Sequence, residues 1–299
     1  MDIAIEISEL TKDFGRHRAL DGLTLEVRRG EVYGFLGPNG AGKTTTLRIL
    51  LDLLRATSGR ATVLGLDSRR DAIEVHRRVA YVPGDVALWP QLTGGQAIDV
   101  LLALHGRFDP ARRDKLVAAF RLDPTVRCRA YSTGNRQKVA LVAALAADVE
   151  VLVLDEPTSG LDPLMEEVFR RCIVGARSEG RTVLLSSHIL GEVESICDRV
   201  GIIRDGRLVE TGTLDELRHL SAYTVEADTA QIPQLEGVPG VSDFQFTGDR
   251  DGYRVSFRVT PEAMGAVLSA LARAGVRTMT SRPPSLEELF LRYYEGAES

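Results

Sequence analysis

Gly37-Pro38-Asn39-Gly40-Ala41-Gly42-Lys43-Thr44 fits the pattern G-x-x-x-x-G-K-[ST] at every fixed position. A short apolar run, Val32-Tyr33-Gly34-Phe35-Leu36, precedes it, and an amphipathic stretch, Lys43 to Leu54, follows. The order is therefore strand, loop, helix. Glycines let the backbone curl until its N–H groups point inward at phosphate oxygens. The helix N-terminus adds partial positive charge. In this arrangement Lys43 sits on the β- and γ-phosphates of a nucleotide, the Thr44 hydroxyl ligates Mg²⁺, and Thr45 meets the α-phosphate side. Gly37, Pro38, Asn39, Gly40, Ala41 and Gly42 form the cradle.

Outward from the loop, short apolar strands alternate with helices. The expected strands are Ile3–Ser8, Leu20–Val27, Val32–Leu36, Ala61–Leu64, Val79–Val82, Val151–Leu154, Thr182–Ser186 and Val200–Ile203. Helices are expected to begin near Lys43, Gly95, Ala111, Arg136, Pro163 and Ile189. Val151-Leu152-Val153-Leu154 and Val183-Leu184-Leu185 are apolar throughout. Strands buried on both faces look like this, which favours a parallel sheet covered by helices. Arg207–Glu210, after Asp205-Gly206, reads as a hairpin return.

The run Val151–Leu154 ends in Asp155-Glu156. Beside a phosphate loop, this pair completes a nucleotide site. Asp155 holds Mg²⁺, directly or through water. Glu156 reaches the water that attacks the γ-phosphate and polarises it.

Past Leu220 the pattern changes to strands at Ala222–Ala227, Val241–Phe246 and Tyr253–Val259, a helix at Pro261–Ala274, a strand at Val276–Met279 and a last helix at Ser285–Tyr294. Pro261 suits a first helical turn and Gly275 a helix stop. The expected division is 1–220 for the nucleotide domain and 221–299 for a small α+β accessory domain.

The chain has 299 residues, 44% of them hydrophobic and 26% charged, the profile of a water-soluble globular protein. A formal charge of −5 gives no overall basic field, so no nucleic-acid partner is expected, although a local basic patch is compatible with it. Cys128, Cys172 and Cys197 have no metal-like spacing and read as small buried fillers in a reducing compartment. The opening residues lack a basic region followed by an apolar core, so no signal peptide is expected. No stretch reaches the roughly 18 apolar residues of a membrane span. The longest apolar region, Val139–Leu154, is interrupted by Asp148 and Glu150. Any membrane role must come through a partner.

Further stretches follow in fixed order. They are Tyr131-Ser132-Thr133-Gly134-Asn135-Arg136-Gln137, Ser159-Gly160-Leu161-Asp162 and Ser186-Ser187-His188, with Phe14 upstream in Leu10-Thr11-Lys12-Asp13-Phe14-Gly15. With the phosphate loop and the acid pair, they make residues Ile3 to Leu217 resemble the nucleotide-binding subunits of ABC transporters. The resemblance implies an α/β P-loop NTPase fold of the ABC type, with a helical signature subdomain. It implies Mg-ATP hydrolysis, with ATP and Mg²⁺ as cofactors. The 131–137 stretch resembles the signature Leu-Ser-Gly-Gly-Gln; Ser132, Gly134 and Asn135 then face the γ-phosphate of an ATP held by a second copy or a paralogue. Asp162 belongs to the D-loop. His188 hydrogen-bonds the γ-phosphate and helps order the attacking water. Phe14 stacks on adenine, or is a core aromatic. His17, His76, His105 and His219 match nothing and read as surface or capping residues.

The family usually carries a glutamine after the strand that here ends Ala80-Tyr81-Val82-Pro83; here Gly84-Asp85 stands there. The pair reads as a turn, or Asp85 or a water substitutes near the metal. In the signature, Tyr131 replaces Leu, Thr133 the first Gly, and Asn135 Gln. That pattern, and the tail Arg282-Pro283-Pro284-Ser285-Leu286-Glu287-Glu288-Leu289-Phe290, resemble the export branch that pairs with type-2 permeases, whose members export drugs, antibiotics or lipid-linked compounds. The resemblance implies an ATPase on the cytoplasmic face of the cell membrane, docked on an integral membrane permease through Val82–Thr93. Its rivals are a soluble ATPase of the superfamily and a non-hydrolysing regulatory module. The accessory domain reads as a packing or dimer-supporting module in preference to a ligand sensor.

Overall fold

The computed structural model describes residues 2–106, 108–219, 222–249 and 252–282. The expected helix Ser285–Tyr294 and the side chain of His219 lie outside the described residues. In chain order the elements are β1 (Ile3–Phe14), β2 (His17–Arg28), β3 (Val32–Leu36), α1 (Lys43–Leu50), β4 (Ser58–Val63), β5 (Leu66–Asp67), α2 (Ala72–Arg78), β6 (Val79–Val82), α3 (Gly94–His105), α4 (Pro110–Ala119) and α5 (Thr133–Ala146). Then come β7 (Val151–Asp155), α6 (Pro163–Ser178), β8 (Thr182–Ser187), α7 (Leu190–Ile196), β9 (Arg199–Arg204), β10 (Arg207–Thr213), α8 (Leu214–His219), β11 (Tyr223–Thr229), β12 (Val241–Asp249), β13 (Gly252–Val259), α9 (Met264–Arg273) and β14 (Val276–Arg282). Met1–Thr211 make one compact unit and Gly212–Ser299 a second. The stretch expected as an accessory domain, 221–299, falls wholly in the second.

In the first unit the strands divide between two sheets, a division the sequence reading did not draw. One has the order β10-β9-β3-β8-β7-β6, with β9, β3, β8, β7 and β6 running parallel to one another. Strands β3, β7 and β8 are buried at every position, as their largely apolar sequences require. Asp205 and Gly206 both take positive φ, 49° and 75°, the geometry of a tight hairpin that returns β10 beside β9. The other sheet, β2-β1-β4-β5, is antiparallel. Its strands alternate: Leu23, Leu25 and Val27 are buried, whereas Thr24, Glu26 and Arg28 are exposed. Each buried aliphatic there stabilises the fold by about 1.5–3 kcal/mol. One core joins the two sheets, with Ile5, Leu25, Phe35, Leu47, Val153 and Leu184 among its members.

Several boundaries differ from expectation. Strand β1 runs to Phe14 rather than Ser8 because a register shift around Glu9, at φ 48°, interrupts its alternation. Helix α1 stops at Leu50 rather than Leu54: Asp52 turns left-handed, and the N–H groups of Leu53 and Leu54 both return to the Arg48 carbonyl. Helix α5 begins at Thr133 because Ser132 caps it, accepting from the Asn135 N–H. Helices α2 and α8 were not expected.

The second unit holds the antiparallel sheet β12-β13-β11-β14. Val225, Ala227, Val255, Phe257 and Val259 project from its strands onto Val267 and Leu271 of α9. Pro261 opens a single 3₁₀ turn before α9, and Gly275 follows it at φ 71°.

Candidate nucleotide site

In an open parallel sheet, functional groups gather at the carboxyl ends of adjacent strands. Here β3, β8 and β7 lie side by side. Leu36 pairs with Ser187 and Asp155 with Ser186. The phosphate loop leaving β3, the acids ending β7 and the Ser186-Ser187-His188 run ending β8 therefore meet at one place.

The loop is folded tightly. A Cβ at Gly37 would lie 2.6 Å from the Ile203 carbonyl oxygen, and one at Gly42 2.7 Å from Leu20 Cδ2. Gly42 also takes φ +111°, a left-handed conformation that favours glycine. Lys43 is buried, 6% exposed. Its Nζ donates to the Gly37 carbonyl at 2.5 Å and the Pro38 carbonyl at 3.2 Å. The loop thus wraps its own lysine. The same Nζ lies 3.2 Å from Glu156 Oε1. Thr44 and Thr45 are half-buried, whereas the Thr46 hydroxyl is spent on the Gly42 carbonyl at 2.9 Å.

Asp155 is buried and Glu156 half-buried. Ser186 Oγ donates to Asp155 Oδ1 at 2.6 Å and accepts from the Glu156 N–H at 3.1 Å. One hydroxyl on β8 thus fixes both acids of β7. Glu156 sits at φ 47°, which turns its side chain away from the strand path; Oε2 lies 2.6 Å from His188 Nδ1. Lys43, Glu156 and His188 form one contact chain. Sequence reasoning assigned nothing to Ser186, although it stands in the quoted run directly before Ser187 and His188. It also missed Glu192: Ser187 Oγ donates to Glu192 Oε2 at 3.2 Å, and burial pushes that carboxyl above the usual range. Burial likewise pushes the Tyr81 phenol up to about 12, with the nearby Asp155 charge acting in the same direction.

The donor set fits a magnesium-nucleotide. No group of three or more His, Cys, Asp or Glu side chains is arranged to hold a metal ion by itself among the described residues. One carboxylate and one hydroxyl, Asp155 and Thr44, suit Mg²⁺, which keeps waters and takes phosphate oxygens for the rest. Gly84 stands close to Asp155: a Cβ there would meet Asp155 Cγ at 3.6 Å, an ordinary contact. Asp85 is exposed in a bend, which accords with the turn reading.

The signature departures have physical reasons. Tyr131 is 6% exposed. Its hydroxyl donates to the Asp123 carbonyl, and its ring lies where a Cβ on Gly94 would stand. The aromatic thus pins the signature loop to α3, whose first residue is small enough to admit it. Gln137, buried at the end of the signature-like stretch and given no role from the sequence, donates to the Pro157 carbonyl at 3.0 Å, tying α5 to the segment after Glu156. Gly134 meets the D-loop: a Cβ there would lie 2.3 Å from the Gly160 carbonyl oxygen. Asp162 caps α6, accepting from the Met165 N–H at 3.1 Å. Among the described residues, no hydrogen bond or ion pair joins the 132–135 segment to the 37–45 loop.

Phe14 is 48% exposed, with Lys12 Nζ 4.8 Å from its ring centroid; the core alternative is corrected. His105 also departs from expectation. It is half-buried, its Nδ1 lacks a partner, and burial lowers its pKa. Cys172 is only half-buried, unlike Cys128 and Cys197.

Residues 20–159 match the ABC transporter family model, and residues 212–294 match that of the C-terminal domain of DrrA1-3-like ATP-binding proteins. The chain is 39% identical to daunorubicin resistance ATP-binding protein DrrA3 of Streptomyces coeruleorubidus, over 97% of this chain and 95% of that one. It is 35% identical to bacitracin transport ATP-binding protein BcrA of Bacillus licheniformis, over 73% of this chain and 72% of that one. A solved ATP-binding subunit of an ABC transporter superposes with a TM-score of 0.68 at 29% identity, covering 73% of this chain and 92% of that one. The chain belongs to the ATP-binding subunits of ABC transporters, a family of ATPases.

Proposed function

We propose that this subunit hydrolyses Mg-ATP between two copies of itself, or between itself and a paralogue, and so drives an integral membrane permease that exports drugs, antibiotics or lipid-like compounds. The observation that carries the reading is the contact chain Lys43–Glu156–His188 beside the buried Asp155–Ser186 pair. When phosphate enters the loop, Lys43 exchanges its Glu156 contact for the β- and γ-oxygens. Glu156 is then free to accept a proton from the attacking water, held in place by His188. Mg²⁺, held by Thr44 and Asp155, would neutralise phosphate charge. Positioning and charge stabilisation supply the catalysis. Phe14, exposed, offers its face to adenine.

Ser132 and Gly134 crown the N-terminus of α5, and Gly134 packs on Gly160 of the D-loop rather than on its own phosphate loop. That placement supports their service, with Asn135 and Asp162, to a nucleotide held by the second copy. No described helix is long and apolar enough to cross a membrane, which accords with a subunit held at the inner face of the cell membrane by the permease. The relatives' resistance and transport roles support the export direction.

Glu156→Gln tests the reading. It keeps the side chain's size and removes its basicity. ATP binding is expected to persist, turnover to fall by at least about a hundredfold, and an ATP-dependent dimer to accumulate. Turnover near that of the wild type would remove Glu156 from its role.

A further inference from the structure

A second polar hollow, of about 740 Å³, lies where the end of α1 meets the β4–β5 edge of the antiparallel sheet. Arg55, Arg60, Arg69 and Arg70 line it. All are exposed, and none makes an ion pair among the described residues, although arginines elsewhere in the chain are widely paired, as at Arg78–Glu150 and Arg207–Asp21. Such clustering runs against the chain's net charge of −5. Like charges held together destabilise a fold unless an anion joins them.

The backbone beneath these side chains is fixed. Thr57 N–H donates to the Thr11 carbonyl at 2.8 Å, and Thr57 Oγ1 accepts from the Asp13 N–H at 2.9 Å. Gly59 presses on β1 so closely that a Cβ would lie 2.3 Å from the Glu9 carbonyl oxygen. On the other wall, Asp67 Oδ1 accepts from the N–H groups of Arg69 and Arg70 at 3.0 and 2.9 Å. Asp67 and Asp52 are the carboxylates of the lining; Asp67 is engaged by those bonds.

Between Asp67 and the arginines stands Ser68, also part of the lining and 4% exposed. Its Oγ is buried without a hydrogen-bond partner. Buried polar atoms are seldom left unpaired. Guanidinium forks match phosphate oxygens, and a hydroxyl adds a donor.

We propose that this hollow binds a phosphate group, with the guanidinium groups of Arg55, Arg60, Arg69 and Arg70 and the hydroxyl of Ser68 as its donors. Phosphate chemistry of this kind comes from an anionic lipid headgroup or from free phosphate. The full chain is tested with two probes, in saturating Mg-ADP so that the phosphate loop is filled. The first is flotation with phosphatidylcholine vesicles carrying phosphatidylglycerol. The second is titration with inorganic phosphate. Each is run on the wild type, on the combined variant R55Q/R60Q/R69Q/R70Q, and on Ser68→Ala. ATP hydrolysis is expected to stay at the wild-type level in both variants, and the melting temperature not to fall in either.

Vesicle binding that is lost with the four arginines and weakened about tenfold by Ser68→Ala, as for one hydrogen bond to a charged group, supports the lipid source. Phosphate binding with the same pattern and no flotation supports the free-ion source. Equal binding by wild type and variants overturns the proposal. So does loss on removing the arginines but none with Ser68→Ala, which marks a diffuse positive field.

Discussion

Gly134→Ala puts one methyl group between the signature loop and the D-loop. Gly134 is not left-handed, so alanine fits its backbone and the effect is steric alone. The new Cβ would lie 2.3 Å from the Gly160 carbonyl oxygen, against an ordinary contact of 3.4–4 Å. The two backbones must therefore part by about 1 Å, and overpacking of this size costs about 1–3 kcal/mol. A displacement of about 1 Å in a group that positions reactants costs about a hundredfold in rate. The phosphate loop is untouched. Steady-state ATPase assays should then show kcat lower by about a hundredfold, while equilibrium binding of ATP stays unchanged. The melting temperature should fall by only a few degrees. A kcat within a factor of about two of wild type would refute the idea that the 134–160 contact positions the signature for catalysis.

Three further outcomes test the framework around the site. Arg181, 6% exposed, donates to the carbonyls of Leu145, Ala147 and Val149 at the end of α5. Arg181→Met should lower the stability measured by denaturant by on the order of 3 kcal/mol, and Arg181→Lys should recover little of it. Glu150 accepts from Arg78 at 2.6 Å and Arg29 at 3.1 Å; the Arg78 guanidinium foremost, then Arg29, holds its carboxyl below the usual 4.5. A depressed carboxylate stabilises the fold above its unfolded value and ceases to as pH falls through the folded one. Glu150→Gln should thus cost under about 1 kcal/mol at neutral pH, a gap that closes in unfolding curves recorded below pH 4.5. Gly175 lies inside α6, and a Cβ on it would have nothing within 4 Å, so Gly175→Ala should raise stability by about 0.5–1 kcal/mol without changing turnover.

The phosphate loop and the acid pair were legible because their strands are buried on both faces, so the sequence is apolar without interruption until the functional residue. The division into two sheets was not: β2 and β4 pack one face only, and a bulge at Glu9 broke the period of β1. Helix α2 escaped notice because Val75 is its one buried residue, which leaves no apolar stripe to read. Tyr131 stood out as a departure from the signature, but its reason lies in Gly94, distant in sequence and adjacent in space. Ser186 was hidden by being an ordinary serine; only its register with Asp155 shows what its hydroxyl does.

The most direct test of two-copy catalysis is turnover per molecule as a function of protein concentration. The proposed service of Ser132 and Gly134 to the nucleotide of another copy predicts that specific activity rises with concentration and approaches zero in dilute, monomeric samples. Turnover per molecule that stays constant down to strictly monomeric dilution would contradict it.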